Sequence, residues 1–379
     1  MFYVAVIVIL TLLICTIDIY RLIDESIDPI FDTQINITEK IKKWNGSYID
    51  VNKECSGVQY ILNKDIHYDN NILLWECSPN SVPCGGIGDQ LRSMVALWIF
   101  SADRGFKFKI AWSKPHEVYP SIFDHNLVHW YQNYSTVPKQ SKELHTVRSC
   151  DLFYDLPYIR LMGNEDIHAC NIQHKMLSKV IELWKRKEIW RGCGFWALFK
   201  IGKDLKTALG IYENRFRQWL LANKYEHVVG IQIRFGDKYM YSNNTYSDTR
   251  LGVVHTMDDV LDNFIACAKR LEVSSSPVAY LLTTDTEKMK KTARRRENVY
   301  VNEIIPRHTG LQGEQNSWIS GSNDAKVSMI ESFVELLMLS KSDGMVLSRS
   351  GFSITARELG LFDIRKKQTL TYYNYETCK

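Results

Sequence analysis

The chain has 379 residues, of which 45% are apolar and 24% are charged, and its formal net charge is +4. These values are typical of a folded protein of about two domains and exclude a disordered chain. The charge is small and its signs are interspersed, and the sequence holds no RNP-like, zinc-finger or basic-zipper pattern. We therefore expect no nucleic-acid partner.

The N-terminus begins with an uncharged segment, Phe2 to Ile17, which Asp18 ends. As a helix this segment spans about 24 Å, and its extension to Arg21 makes it long enough for the thinner membranes of the early secretory pathway. We expect an uncleaved membrane anchor over residues 1–21, followed by a polar stem over residues 22–70. A cleaved signal peptide is the alternative, but no basic segment precedes the apolar run and no clear A-x-A site follows it.

Sequons and cysteines supply the orientation of the chain. N-x-[ST] triplets occur at Asn36, Asn45, Asn133 and Asn243. Eight cysteines follow Cys15, an even number that allows up to four disulfide bridges of unknown pairing. Zinc binding would need close pairs such as C-x-x-C, which the sequence lacks; buried free thiols are the other alternative. Together these features predict a type II membrane protein with its folded part in the lumen of the ER or Golgi.

The first folded segment has the pattern of a βαβ unit. A strand is predicted over Asn71–Trp75, a loop over Cys77–Gly85, a helix over Leu91–Ala102 and a strand over Phe106–Trp112. Residues 113–225 contain helical patterns, such as Met176–Trp184 and Tyr212–Leu221, without sharp motifs. We expect one α/β domain over residues 71–225.

The C-terminal part, residues 226–379, alternates strands and helices, which predicts a second domain with a doubly wound parallel sheet. The predicted strands are His227–Ile233, Val278–Thr283, Val299–Val301 and Met345–Leu347. The predicted helices are Met257–Leu271, Glu287–Arg296, Val327–Leu339 and Ser353–Gly360. Ligands of such sheets bind beyond the carboxyl ends of the strands, where this sequence places three polar motifs: Arg234 to Lys238, Thr284-Asp285, and Ser348 to Phe352.

These motifs are suited to an anionic ligand. The guanidinium of Arg234 offers a rigid fork of donors that matches a phosphate pair, although a salt bridge to Asp237 or another carboxylate is the alternative. The stretch from Ser348 to Phe352 offers hydroxyls and amides at a helix N-terminus, although it could simply cap the helix. Gly86 and Gly88 let backbone amides approach a ligand closely, but Leu91 replaces the third glycine of a dinucleotide motif.

Three motifs, together with the order in which they occur along the chain, resemble those of the fucosyltransferase superfamily, which includes α1,2-, α1,6- and protein O-fucosyltransferases. Gly85 to Gln90 is similar to its G-x-x-G-N-Q turn, with Asp89 in place of Asn. Gly230 to Lys238 is similar to its H-x-R-x-G-D block, with Gln232 in place of His. Leu336 to Gly360 is similar to the block that ends in S-S/T-F. The resemblance covers roughly residues 72–365.

The resemblance implies a fold of two Rossmann-like domains (GT-B-like), a GDP-fucose donor and an inverting transfer that needs no metal or other cofactor. Arg234 would bind the β-phosphate, together with Ser348, Ser350 and the amides near Gly351 and Phe352. The resemblance assigns further donor-binding positions to Gln232 and Glu335, which would read the guanine; to Gly86, Gly88, Asp89 and Gln90, on the side where fucose and acceptor meet; and to Asp237 and Asp285. Asp237 and Asp89 are also the candidates for a general base.

The partners implied are therefore a nucleotide sugar, a glycan or glycoprotein acceptor, and the membrane. A donor other than GDP-fucose is one alternative. A non-catalytic lumenal carbohydrate-binding protein of the same fold is another, motivated by the departures at Asp89 and Gln232. The retention of Arg234 favours an enzyme.

Overall fold

Two largely parallel β-sheets with flanking helices form the part of the chain that the structure describes. The computed structural model describes residues 55, 71–77, 86–112, 119–136, 142–144, 158–162, 187–235, 247–248, 253–254, 256–271, 277–304, 322–348, 350–362, 365, 367–373 and 377–378. The expected anchor, the stem except for residue 55, the helical pattern Met176–Trp184, and Asp237 lie outside these ranges.

The N-terminal elements form a four-stranded parallel sheet of order β2-β1-β5-β4 and a short antiparallel pair, β3-β6. In chain order they are β1 (Ile72–Cys77), α1 (Ile87–Arg104), β2 (Lys107–Trp112), α2 (Tyr119–Ile122), β3 (Phe123–His125), a 3₁₀ turn (Tyr134–Thr136), β4 (Lys142–Leu144), β5 (Tyr158–Met162), α3 (Lys187–Leu198), β6 (Phe199–Ile201) and α4 (Lys203–Ala222). Leu73, Leu74 and Trp75 are all fully buried, because both faces of a parallel sheet are covered.

The C-terminal elements form a six-stranded sheet of order β11-β10-β7-β12-β13-β14, in which only the pairing of β13 with β14 is antiparallel. In chain order they are β7 (His227–Ile233), a two-residue hairpin pair β8 (Ser247–Asp248) and β9 (Val253–Val254), α5 (Met257–Lys269), β10 (Val278–Thr284), α6 (Glu287–Ala293), β11 (Val299–Val301), α7 (Ser322–Ser340), β12 (Gly344–Ser348), α8 (Gly351–Leu359), β13 (Gln368–Tyr373) and β14 (Thr377–Cys378).

Alternating residues of β7 explain why helices cover both faces of this sheet. Val229, Ile231 and Ile233 join a core with α5, whereas Val228 joins the core that contains α7. Successive side chains of a strand point to opposite faces. The apolar runs of the central strands are therefore buried on both sides, as the predicted doubly wound sheet requires.

Helices α1, α3 and α8 join the two sheets. Arg191 of α3 pairs with Glu358 of α8 at 3.1 Å, and both side chains are buried. The indole N–H of Trp196 donates to the carbonyl of Leu359 at 3.0 Å. The larger hydrophobic core runs continuously through these helices from one sheet to the other. The carboxyl ends of the second sheet and the start of α1 are therefore held in a fixed relation.

The predicted elements agree with this structure except for several shifted ends and several omissions. The helix predicted to begin at Leu91 begins at Ile87, the one predicted at Val327 begins at Ser322, and the one predicted to reach Arg296 ends at Ala293. No pattern had indicated α3, β5 or β13. The proposed boundary between residues 225 and 226 stays a prediction. Helix α4, which precedes it, packs on α7, and Glu213 of α4 pairs with Lys341, the residue directly after α7.

Two disulfides connect distant parts of the described chain, Cys55 to Cys193 and Cys267 to Cys378. The first attaches residue 55 to α3, and the second attaches the C-terminal strand to α5. Among the helices that the structure covers, none combines the length and the hydropathy that a membrane crossing needs.

Candidate functional site

The carboxyl ends of β7, β10 and β12 meet at one edge of the second sheet. The register pairs Ile233 with Thr284 and Gln232 with Leu347. The residues that follow these strands, Arg234, Asp285 and Ser350, therefore lie side by side, as expected for the ligand edge of an open α/β sheet.

Arg234 forms an ion pair with Asp285, with 3.0 Å between Nη1 and Oδ2. The Arg234 side chain is 26% exposed and that of Asp285 is 7% exposed. Asp285 also accepts the backbone N–H of Phe235, at 2.9 Å to Oδ1 and 3.2 Å to Oδ2. Asp285 thus holds both the guanidinium and the backbone that carries it. The sequence had left the carboxylate partner of Arg234 open, and among the described residues it is Asp285.

Gln232 connects the end of β7 to the turn between β12 and α8. Its side-chain oxygen accepts hydrogen bonds from the hydroxyls of Ser348 and Ser353 and a longer one, 3.4 Å, from Ser350. The Ser348 hydroxyl in turn accepts the backbone N–H of Arg234 at 3.1 Å. Gln232 is buried, and its side-chain oxygen is occupied by hydrogen bonds within the protein. The role of Gln232 in reading guanine stays a prediction.

The N-termini of α1 and α8 touch. A methyl group placed on Gly88 would overlap the carbonyl of Gly351 and would lie 2.7 Å from the nitrogen of Phe352. One placed on Gly351 would lie 2.5 Å from a carboxylate oxygen of Asp89. The hydroxyl of Thr355 donates to the carbonyl of Gly88 at 3.2 Å. The glycine turn (Gly86 to Gly88) and the serine turn (Ser348 to Phe352) are therefore brought together, with two partially positive helix ends side by side.

Ser350 caps the N-terminus of α8, because its hydroxyl accepts the backbone N–H of Ser353 at 3.1 Å. Gly86 precedes α1 and contributes no side-chain cap. The capping interpretation of the serine turn is therefore correct. It does not exclude an anion at the same helix end, since a helix N-terminus has several amides without intrahelical acceptors.

Gln90 faces the core. It is fully buried, and its side-chain oxygen accepts the hydroxyl of Tyr119 at 2.9 Å. The Tyr119 ring packs edge-on against Phe333 of α7, with 5.7 Å between ring centroids, and burial raises the pKa of Tyr119. The structure thus places Gln90 behind the contact of Gly88 and Asp89 with α8, where it fastens α1 to α2.

Glu335 lies in α7 and pairs with Lys290 of α6 at 2.7 Å. The Lys290 side chain is completely buried, and it also donates to the carbonyl of Ile304 at 2.8 Å. Desolvation raises the pKa of Glu335, Lys290 opposes that shift, and the negative charge of Asp285 adds to it. The possibility that Glu335 occupies a solvated helix face is wrong, because the residue is buried.

Sequence reasoning missed three residues of this region: Lys290, Ser353 and Thr355. The basic appearance of residues 287–296 concealed the fact that Lys290 shares the buried face of α6 with Met289 and Ala293. Ser353 could have been found from its spacing of three residues from Ser350, which is typical of a capped helix start. Within the described ranges no group of three His, Cys, Asp or Glu side chains could hold a metal ion; metal independence stays a prediction.

Comparisons with known proteins were made by sequence and by structure. No protein-family model and no curated protein matches the sequence. A structure of a mutant of Arabidopsis thaliana FUT1 in complex with GDP is similar, at 12% identity and a TM-score of 0.51, with 93% of this chain and 82% of that chain covered. NodZ α-1,6-fucosyltransferase soaked with GDP-fucose matches at 11% identity and a TM-score of 0.48, over 82% of this chain and 98% of that chain; NodZ from Bradyrhizobium matches at 10% identity and a TM-score of 0.46, with the same coverage.

The first of these structures shows the fold. The chain has the α/β fold of the FUT1 structure, and an α/β fold of this type is what the three motifs had led us to expect.

Proposed function

We propose that this chain is a glycosyltransferase that moves fucose from GDP-fucose to a glycan or protein acceptor. The observation that carries the proposal is the position of Arg234. Its partly exposed guanidinium lies at the carboxyl edge of the second sheet, next to Asp285 and the serine turn that begins α8. FUT1 from Arabidopsis thaliana, whose structure contains GDP, has a similar fold.

The proposed reaction is a single displacement at the anomeric carbon of fucose. An acceptor hydroxyl attacks this carbon, the bond between the carbon and the β-phosphate oxygen breaks, and GDP leaves with the bonding electrons. The acceptor proton passes to a base, for which Asp89 and Asp237 are the candidates. Negative charge grows on the β-phosphate during this step, and a positioned guanidinium stabilises such charge most where water is excluded.

Several neighbours assist Arg234 in this proposal. The N-terminus of α8 supplies the amides near Gly351 and Phe352 and a partial positive charge. Ser348 and Ser350 stand at the same turn, although their hydroxyls are already bonded to Gln232. We therefore propose that these two serines mainly shape the anion site and contribute less to direct contact with the phosphate. We propose that the transfer proceeds without a metal ion, as the resemblance of the motifs implies.

We further propose that the folded part lies in the lumen of the ER or Golgi and is anchored by residues 1–21. The two disulfides support an oxidising compartment, because such bridges rarely persist in the reducing cytosol. The sequons support the same location.

One observation favours a second candidate with the same chemistry but another nucleotide sugar. The carboxylate of Glu335 is already paired with Lys290. The nucleobase of a bound donor would therefore lie near a buried ammonium group as well as a carboxylate. A donor panel separates the candidates: GDP-fucose, GDP-mannose and UDP-sugars are each incubated with the full chain and EDTA, with water in the place of the acceptor hydroxyl, and release of the nucleoside diphosphate by hydrolysis is measured. We expect release from GDP-fucose alone. Release from GDP-mannose or a UDP-sugar would favour the second candidate, and release from none of the donors would favour the non-catalytic protein.

A further inference from the structure

Asn133 lies in the sequon Asn133-Tyr134-Ser135, directly after the segment that covers the edge of the first sheet. Strand β2 is an outer strand of that sheet. The backbone N–H of Ile110 donates to the carbonyl of Trp130 at 2.6 Å, and the N–H of Gln132 donates to the carbonyl of Ile110 at 2.9 Å. The chain then turns away from the sheet through the 3₁₀ turn.

The turn presents the sequon to solvent. Asn133 and Ser135 are both exposed. The side-chain oxygen of Asn133 accepts the backbone N–H of Ser135 at 3.0 Å and its hydroxyl at 2.8 Å. The carbonyl of Asn133 accepts the backbone N–H of Thr136 at 3.0 Å and its hydroxyl at 2.8 Å. The two residues that define the sequon are therefore in contact through the side chains that glycosylation requires, on an accessible surface turn.

Exposed apolar side chains lie in the segment that precedes Asn133. Leu127 and Tyr131, in the segment before Asn133, are each 41% exposed, and they are among the few large apolar residues at the surface of the described chain. Exposed apolar side chains that lie close together on a surface are a site where copies of a chain can associate. A hydrated glycan on Asn133 would stand beside Leu127 and Tyr131 and keep a second chain away from them.

From these observations we infer that Asn133 is an N-glycosylation site and that its glycan shields the exposed side chains of Leu127 and Tyr131. In the transfer, the side-chain nitrogen of Asn133 forms a bond to the anomeric carbon of a lipid-diphosphate-linked oligosaccharide. The bond from that carbon to the diphosphate oxygen breaks, the lipid diphosphate leaves, and the amide loses one proton. The inference rests on the lumenal location proposed above, but not on the transferase activity.

The test uses the full chain expressed in a eukaryotic secretory host, with peptide mass spectrometry before and after enzymatic removal of N-glycans. We expect a glycan on the Asn133 peptide that disappears in Asn133→Gln and Ser135→Ala and persists in Ser135→Thr. Asn263→Gln, at an exposed asparagine of α5 outside any sequon, is the matched control and should leave the glycan in place. An unmodified Asn133 peptide overturns the inference, whether or not Asn36, Asn45 and Asn243 carry glycans.

A second measurement tests the shielding role. Asn133→Gln should increase self-association in analytical ultracentrifugation, whereas Asn263→Gln should not, and both should bind GDP like the wild type. Equal self-association of Asn133→Gln and wild type would contradict the shielding role. A glycosylated chain that ignores GDP would contradict the proposed function and leave the glycan assignment intact.

Discussion

At the scale of single residues, two ion pairs hold the charged side chains of the candidate site in position. Arg234 is positioned by Asp285, and Glu335 is paired with Lys290. Burying a lone charge is very costly, whereas a hydrogen-bonded pair is tolerated. The sequence allowed us to predict Arg234 and Asp285 at strand ends. It could not show the second pair, because Lys290 and Glu335 are 45 positions apart and their helices meet only in the folded protein.

The buried pair gives the first prediction. Lys290→Met should destabilise the protein by about 3–5 kcal/mol, because it leaves the Glu335 carboxylate buried without a cation. The double variant Lys290→Met with Glu335→Leu should recover much of that loss, since neither charge remains. Urea unfolding of the wild type, both single variants and the double variant measures this. Additive losses in the double variant would mean that the two side chains do not interact.

Glu358 gives a prediction about pH. Desolvation raises its pKa to about 7, although Arg191, Arg92 and Arg357 all act to lower it. A folded carboxyl group with a raised pKa binds its proton more tightly than the unfolded chain does. Its contribution to stability is therefore complete below pH 4.5, its ordinary pKa, and is lost as the pH rises through about 7.

The expected slope is a loss of at most about 1.4 kcal/mol per pH unit in this window. Glu358→Gln should remove that slope, because a glutamine does not titrate. Urea unfolding of both proteins across the window measures the difference. Parallel stability profiles for wild type and Glu358→Gln would contradict the assignment.

At the scale of secondary structure, the strands near the site were predictable and the helix between the sheets was not. The strands β7, β10 and β11 agree with prediction to within a residue, because buried parallel strands are short apolar runs. Helix α3 was missed since it contains Gly192 and Gly194. A methyl group on Gly192 would overlap the carbonyl of Glu358, and one on Gly194 would overlap Val95. These glycines serve close helix packing, which only the fold reveals.

The contact between α1 and α8 gives a prediction with an internal control. Gly88→Ala should destabilise the protein and weaken GDP binding, because the added methyl group has no room against the backbone of Gly351. Gly210→Ala, on the exposed surface of α4 where the added methyl group meets no atom within 4 Å, should instead stabilise by about 0.5–1 kcal/mol. Thermal unfolding and GDP titration of both variants measure these effects. A Gly88→Ala protein as stable as Gly210→Ala would mean that the two helices can separate at no cost.

At the scale of the whole molecule, the site is assembled from four chain segments that lie far apart in sequence. The glycine turn at the start of α1 follows the first strand of the first sheet, whereas Arg234, Asp285 and the serine turn follow strands of the second sheet. The position of the candidate site could be predicted from the sequence, because ligands bind at the carboxyl ends of strands. The direct contact of Gly88 with Gly351 could not be predicted, because it depends on how α1, α3 and α8 pack between the sheets.

The most direct test of the account is calorimetric titration of GDP into the full chain without added metal, for the wild type, Arg234→Ala and Arg295→Ala. Arg295 is an exposed arginine that pairs with Asp258 away from the site, so it controls for the loss of one positive charge. We predict that GDP binds the wild type and Arg295→Ala equally, and that Arg234→Ala weakens binding by at least about tenfold, or 1.4 kcal/mol. Equal binding of GDP by all three proteins, or binding by none, would contradict the account.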